Sequence, residues 1–199
     1  MRTGAFPLRG ERAARVAFAR LAEPADPTVA LVLAQEGYER ALAGVLTGRH
    51  QRLARRFGAR VAALEGVDDL AIADALGCAI VVPGDPAWPA GLDDLGAPPH
   101  CLWVRGAAAP DLGRLCRRSV AVVGARAATA YGLEWAMALA ADLSDRQFTV
   151  VSGAALGIDA AAHQGALAAD AATVAVLACG IDRAYPRANE SLLRDIAAT

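Results

Sequence analysis

Three times along the second half of the chain, a short apolar run leads through a glycine-containing turn into a segment with helical periodicity. The first run, Val120–Val123, is mostly β-branched, which is typical of a strand covered on both faces. After Gly124, apolar residues recur at helical spacing from Leu133 to Leu143. This pattern predicts a buried strand, a tight turn and a helix.

The same pattern returns twice more. Thr149–Ser152 predicts a second strand, followed by a helix that begins near Ile158, and Thr173–Ala178 predicts a third strand. The last helix is expected to begin at Asn189, whose side-chain oxygen would accept an N–H group of the first turn. Strands that alternate with helices in this way predict βαβ units in a parallel sheet, with all three turns at its carboxyl edge.

The first part of the chain has a different pattern. Residues 1–77 contain several short helical segments separated by glycines, and Asp26-Pro27 is a typical helix start. This predicts a small all-helical module over 1–77, followed by an α/β domain over 78–199.

Charge and composition restrict the chemistry. The 199 residues carry a net charge of −1, all 20 basic residues are arginine, and residues 120–199 alone carry a net charge of −3. A nucleic-acid site would therefore have to be a local basic pocket and not a basic face.

The four cysteines form no C-x-x-C pair, which argues against a zinc site and suits a reducing cytoplasm. No apolar run reaches the length of a membrane span. We therefore expect a cytoplasmic protein without a metal, a cofactor or a membrane partner.

The three turns also favour anions, because unpaired N–H groups and the helix dipole coincide where each helix begins. They carry motifs in a fixed order, namely Val123–Arg126 with Tyr131–Gly132, Ser152–Asp159 with Ala162–His163, and Gly180–Arg183 with Tyr185–Pro186 and Asn189. In this order they resemble the motifs of the DNA-processing protein A family, called DprA or Smf. Ala125 stands where the family's first motif has serine. The resemblance covers about 80–199, and the helices of 1–77 are compatible with it.

The resemblance implies a Rossmann-like, mostly parallel sheet with helices on both faces. The family binds and protects single-stranded DNA in natural transformation and loads a RecA-type recombinase onto it. It is not known for catalysis, so no catalytic residue is expected. Full-length relatives form homodimers.

The resemblance also implies roles for individual residues. Arg126 would pair with a phosphate through its guanidinium fork, and glycine amides of the three turns would cradle phosphates. Tyr131 or Tyr185 would stack on a base. The residues expected to contact DNA or phosphate are Gly124, Arg126, Tyr131, Gly132, Ser152, Gly153, Gly157, Asp159, Gly180, Asp182, Arg183, Tyr185 and Asn189.

Family members continue beyond the third motif with further strands and helices of the same domain. By this resemblance, the sequence is expected to be an N-terminal fragment with an incomplete sheet and impaired function.

Two other functions stay open. A nucleotide-binding enzyme of related fold, similar to the phosphoribohydrolases, would carry a P-G-G-x-G-T-x-x-E signature, which this sequence lacks. Asp159 and His163, four residues apart on one helix face, could serve such an enzyme as an acid–base pair. The other alternative is an inactive fragment that binds nothing tightly.

Overall fold

The computed structural model describes residues 10–199, which divide into two compact units. The first contains the chain up to Asp85 together with Leu92–Trp103, and the second contains Pro86–Gly91 and Val104–Thr199. Residues 1–9 of the predicted helical module lie outside the described residues. The predicted domain boundary after residue 77 stays a prediction.

The first unit is mainly helical, which confirms the predicted helical module. Its core surrounds Phe18 and Leu21, both fully buried. Asp26 caps the second helix as predicted, because its carboxylate accepts the N–H groups of Thr28 and Val29. The helices are α1 (Glu11–Leu21), α2 (Pro27–Glu36), α3 (Tyr38–Leu46), α4 (Gln51–Ala62) and α5 (Asp69–Ala75).

Two short strands, β1 (Ala79–Val81) and β2 (Leu102–Val104), pair in a separate two-stranded sheet. Short 3-10 turns occur at Ala90–Asp94, Ala109–Asp111 and Arg187–Asn189. Within residues 10–199, no helix combines the length and the apolar character needed to cross a bilayer.

The second unit contains the predicted parallel sheet. Its strands are β3 (Ser119–Ala121), β4 (Thr149–Ser152) and β5 (Thr173–Ala175). They follow the order β3-β4-β5, and both pairs are parallel. Val150 of the central strand lies between Val120 and Thr173. The Rossmann-like α/β prediction is therefore confirmed. The elements are α6 (Leu112–Arg117), β3 (Ser119–Ala121), α7 (Ala130–Asp145), β4 (Thr149–Ser152), α8 (Ile158–Ala168), β5 (Thr173–Ala175) and α9 (Glu190–Ala198).

Helices α7 and α8 pack closely on one face of this sheet. A Cβ at Gly165 of α8 would lie 2.2 Å from the carbonyl oxygen of Met137 in α7, so only glycine allows this approach. Ala140, Ala162 and Val150 are completely buried between the helices and the strands. The many alanines of the sequence thus serve close helix packing.

Two of the predicted strands end earlier than the apolar runs suggest. β3 ends at Ala121 and β5 at Ala175. Val123 is 70% exposed and Val176 62% exposed, since both lie beyond the last paired residues. The apolar runs therefore continue past the sheet into the turns at its carboxyl edge.

Candidate nucleic-acid interface

The turns after the three parallel strands leave the sheet at the same edge, because the strands are parallel and in register. Two backbone bonds continue the strand ladder into the turns, from Val122 to the carbonyl of Val151 and from Val176 to that of Ser152. The three sequence motifs thus meet at one edge of one sheet.

Asp159, in the first turn of α8, connects two of these turns. Its side chain is buried, and one carboxylate oxygen accepts the N–H of Gly124 at 3.3 Å. The other oxygen accepts the N–H groups of Gly153 at 3.1 Å and Ala155 at 3.4 Å. Here the structure differs from the predicted phosphate cradle, because a carboxylate of the chain itself fills the anion position at the helix start. Asp159 therefore holds the turns together and does not face outward.

The turn after β3 lies directly against the start of α8. Gly157 has a φ of +83°, and a Cβ there would lie 2.3 Å from the carbonyl oxygen of Ala125. The N–H of Ile158 donates to that same oxygen at 3.2 Å. The backbone that leads into Arg126 is thereby held against the start of α8.

Arg126 itself is exposed. Within residues 10–199, no carboxylate forms an ion pair with it. Its side chain borders an open groove between α7 and α8 with a volume of about 360 Å³. A positive charge on a fixed loop is thus available to an external anion. The other residues along the groove are Ala127, Ala128, Leu133, Met137, Gly157, Ala160, Ala161 and Gln164.

Ser152 and Asn189, which are expected to contact DNA, are both buried. The hydroxyl of Ser152 donates to the carbonyl of Val122 at 2.6 Å. The side-chain amide of Asn189 donates to the carbonyls of Ala154 at 3.0 Å and Ala155 at 3.3 Å. Asn189 occupies the N-cap position of α9 but makes no capping bond, so the predicted cap was wrong. Both side chains connect neighbouring backbone segments.

The predicted aromatic contacts face solvent. Tyr131 is 70% exposed and Tyr185 is 65% exposed. The N–H of Gly132 is already engaged, since it donates to the hydroxyl of Thr129, the N-cap of α7. The two rings are accessible to a base, whereas the Gly132 amide is not free.

The third turn lies at the same edge and carries the exposed Arg183. The N–H of Arg183 donates to the carbonyl of Gly180, which closes a tight turn. A Cβ at Gly180 would lie 2.4 Å from a carboxylate oxygen of Asp182, so the Asp182 side chain folds back over the glycine. Within the described part of the chain, Arg183 has no ion-pair partner.

His163 is completely buried. The hydroxyl of Thr173 donates to the carbonyl of Val150 at 2.7 Å, and it therefore accepts from His163 Nδ1 at 2.8 Å. Burial lowers the pKa of His163 to about 4, against the opposing effect of the Asp159 carboxylate. The imidazole is thus neutral at pH 7 and closed to a substrate, which disfavours the alternative of an Asp159–His163 acid–base pair.

No group of three or more His, Cys, Asp or Glu residues in the described 10–199 could hold a metal ion.

Trp135 was not predicted from the sequence as an exposed residue near the motifs. It is 61% exposed, and its ring meets the ring of Tyr131 edge-on, with the ring centroids 6.1 Å apart. The four-residue spacing of the two aromatic residues was the signal that could have shown them on one helix face.

Comparison with known proteins adds independent information. A sequence model of the family described as DNA recombination-mediator protein A matches residues 79–199. A putative DNA processing protein DprA from Mycobacterium tuberculosis is 40% identical over an alignment of 190 residues, and the match covers 89% of this chain and 48% of the relative. A protein Smf from Synechocystis is 38% identical over an alignment of 125 residues, and the match covers 59% of this chain and 30% of the relative.

The fold is similar to a solved structure as well. The X-ray structure of DNA processing protein A from Streptococcus pneumoniae matches with a TM-score of 0.71 and 26% identity. The match covers 96% of this chain and 65% of that protein. The chain spans about half the length of its Mycobacterium relative.

Proposed function

The chain belongs to the DNA recombination-mediator protein A family, and from this we propose that it binds single-stranded DNA at the carboxyl edge of its parallel sheet. The observation that carries the proposal is the exposed guanidinium of Arg126 beside the groove between α7 and α8. It has no ion-pair partner within residues 10–199, and its loop is fixed by Gly157 and Ile158.

In this proposal the phosphate groups of the single-stranded DNA are the anions that bind at this edge. A phosphate pairs with Arg126, whose guanidinium offers two parallel N–H donors, and a second phosphate pairs with the exposed Arg183 of the third turn. Tyr131 and Tyr185 offer exposed rings on which bases stack. Because stacking and phosphate contacts are common to all bases, binding is insensitive to sequence.

The buried residues of the motifs have a positioning role. Asp159 holds the turns after β3 and β4 through their amides, and Asn189 holds the β4 turn through its carbonyls. In this proposal, neither side chain contacts the DNA. No bond is made or broken in this proposal, and the protein acts by binding and not by catalysis.

The wider role follows from the family. We infer that the chain takes part in DNA processing in the cytoplasm, protects the incoming single strand and assists its transfer to a RecA-type recombinase. We also propose that the protein forms a homodimer, as is expected of full-length relatives. The Mycobacterium relative is about twice as long as this chain.

Fluorescence anisotropy with labelled oligo-dT at several salt concentrations tests the proposal. We expect saturable binding whose logarithm falls linearly with the logarithm of salt concentration. Arg126→Ala should weaken binding about tenfold and lower the salt slope by about 1. Arg114→Ala is the matched control, because Arg114 is exposed in the same unit but paired with Asp111.

Three results would contradict the proposal in different ways. Equal affinity of the wild type and Arg126→Ala would remove Arg126 from the site. If mononucleotides displace the labelled oligo-dT at concentrations well below those that unlabelled oligo-dT needs, the phosphoribohydrolase-like alternative would be favoured. No saturable binding at low salt would favour the inactive fragment.

A further inference from the structure

The segment 40–64 of the first unit is strongly basic. It contains six arginines and no aspartate or glutamate, although the whole chain has a net charge of −1. Two of these arginines are compensated, since Arg49 pairs with Glu36 and Arg56 pairs with Asp26. Within residues 10–199, the other four form no ion pair with a carboxylate. The chain itself therefore neutralises the positive charge of this segment only in part.

Two of the four unpaired arginines, Arg52 and Arg55, lie on the outward face of α4. The helix packs into the core of the first unit through Leu53 and Phe57, which are 2% and 3% exposed. Because successive residues of a helix are rotated by about 100°, Arg52 and Arg55 lie on the side that faces away from this core. Both are exposed, and their spacing of three residues makes them neighbours on the helix surface.

The outward face of α4 carries no large side chain beyond this pair. Toward the end of the helix, its exposed residues are Gly58, Ala59 and Ala62. None of these has a side chain longer than a methyl group, so a ligand can approach the helix closely. We call Arg52, Arg55 and these three small residues the α4 surface.

The carboxylates around the α4 surface leave its positive charge in place. On the helices that pack against α4, the exposed Glu11 of α1 pairs with Arg15, and the exposed Glu39 of α3 stands beside the unpaired Arg40 in sequence. The exposed Glu65 follows the end of α4, which lies about 10 Å along the helix axis from Arg55. The acidic residues of the unit thus surround the arginine pair without binding it.

We propose that the α4 surface is a second contact for the phosphate backbone of nucleic acid, separate from the carboxyl edge of the parallel sheet. Guanidinium groups bind phosphates through charge-assisted hydrogen bonds, and arginines clustered along one helix are the electrostatic signature of such a surface. The proposal rests on the proposed function for its class of ligand but shares none of its residues. Arg52 and Arg55 belong to the first unit, whereas Arg126 belongs to the second.

Other anionic partners fit the α4 surface less well. A basic helix that binds a membrane needs an apolar face to insert, whereas Leu53 and Phe57 are buried in the core of the unit. Protein interfaces are typically centred on large aromatic or apolar side chains, and the outward face of α4 has none. Contacts to phosphates need only charge and access, and this surface provides both.

Fluorescence anisotropy of the full chain tests the proposal, with a labelled oligo-dT and a labelled DNA duplex of the same length at several salt concentrations. Combining Arg52→Ala with Arg55→Ala should weaken binding of at least one of these ligands about tenfold. The salt slope should fall by about 1 for each arginine removed. A loss confined to oligo-dT identifies the ligand as single-stranded, and a loss with the duplex identifies paired DNA.

Two further variants separate the charge from its position. Arg20→Ala is the matched control, because it removes the same charge from the same unit but from an arginine that pairs with Asp69. It should leave binding unchanged. Arg55→Lys keeps the positive charge and should retain most of the affinity. Arg52 and Arg55 are exposed on a helix, where alanine is favourable, and thermal melts establish that all variants fold.

Comparison with Arg126→Ala separates this proposal from the one for the carboxyl edge. Weaker binding in the double variant but not in Arg126→Ala would support the α4 surface and remove Arg126 from the site. The reverse result would overturn the α4 proposal and leave the carboxyl edge in place. The α4 proposal also fails if the chain binds neither ligand, or if Arg20→Ala weakens binding as much as Arg55→Ala. Equal competition by polyglutamate of the same charge would assign the surface to acidic proteins instead.

Discussion

The carboxylate of Asp159 accepts the backbone N–H of Gly124, a residue 35 positions earlier in the chain, at 3.3 Å. Its second oxygen accepts two further N–H groups of the turn after β4. A single buried carboxylate thus satisfies three backbone donors from two turns. Because hydrogen bonds to a charged group are stronger than neutral ones, this residue is a main support of the carboxyl edge.

Asp159→Ala should lower the free energy of unfolding by about 3 kcal/mol, since it removes a buried carboxylate that accepts three partly buried N–H groups. Asp159→Asn should cost less, because it keeps one acceptor oxygen. Urea denaturation at pH 7 measures both. Glu190→Ala is the control, as Glu190 and Arg194 form an exposed pair at 3.7 Å whose loss should cost under about 0.5 kcal/mol.

The same variant distinguishes two functions of the turns. If Asp159 positions the Arg126 loop, Asp159→Ala should weaken binding of oligo-dT. If instead the amides of Gly124 and Gly153 were the natural phosphate donors, removing the carboxylate would free them, and binding would strengthen. Stronger binding in a folded Asp159→Ala protein would contradict the positioning role.

The parallel sheet could be predicted because its signal is local. Each strand is a short apolar run, each crossover is a helix of regular period, and small residues mark each turn. Side-chain direction at the edge could not be predicted, because it depends on contacts between distant segments. Asn189, for example, is a good N-cap by type, but the carbonyls of Ala154 and Ala155 claim its amide.

The motifs therefore predicted which residues gather, but not which ones face outward. Ser152, Asp159 and Asn189 belong to the second and third motifs, and all three are buried in internal hydrogen bonds. Only the fold shows that the side chains of Arg126, Tyr131 and Tyr185 are exposed while these three are not. Trp135 was missed because its position on the solvent face follows from how α7 packs.

Gly157→Ala should be strongly destabilising for two reasons. The residue has a φ of +83°, which an L side chain rarely adopts, and its Cβ would lie 2.3 Å from the Ala125 carbonyl oxygen. Gly66→Ala is the matched control, since Gly66 has a φ of +71° but open space around it. We expect a loss of about 1 kcal/mol at Gly66 and clearly more at Gly157 in urea denaturation. Equal losses would show that the close contact with the Arg126 loop is unimportant.

Asn189→Asp tests the direction of a hydrogen bond. If Asn189 acted as an accepting cap of α9, aspartate would replace it well. Because its amide donates to two carbonyls, aspartate should instead place a carboxylate against two acceptors and cost about 2 kcal/mol or more. Asp68→Asn is the control, since Asp68 does accept the N–H of Ala71 at the start of α5 and asparagine keeps that acceptor. A neutral effect of Asn189→Asp on the urea midpoint would contradict the assigned donor role.

His163 makes stability depend on pH. Burial lowers its pKa from 6.5 to about 4 in the folded protein, while the nearby Asp159 carboxylate opposes the shift. Below pH 6.5 the unfolded chain binds a proton that the folded protein refuses, so the stabilising contribution is complete above that pH. It is lost progressively as the pH falls from about 6.5 to about 4.

Between pH 7 and pH 5, this effect should remove about 2 kcal/mol of the free energy of unfolding. Burial also lowers the pKa of His100, which contributes a loss of the same sign in every variant. The comparison with His163→Gln therefore isolates His163: the variant should be less stable at pH 7 but should lose less on acidification. Urea denaturation at both pH values measures the difference. The same loss in the wild type and His163→Gln would mean that His163 is accessible to protons in the folded state, and the acid–base alternative would then regain its support.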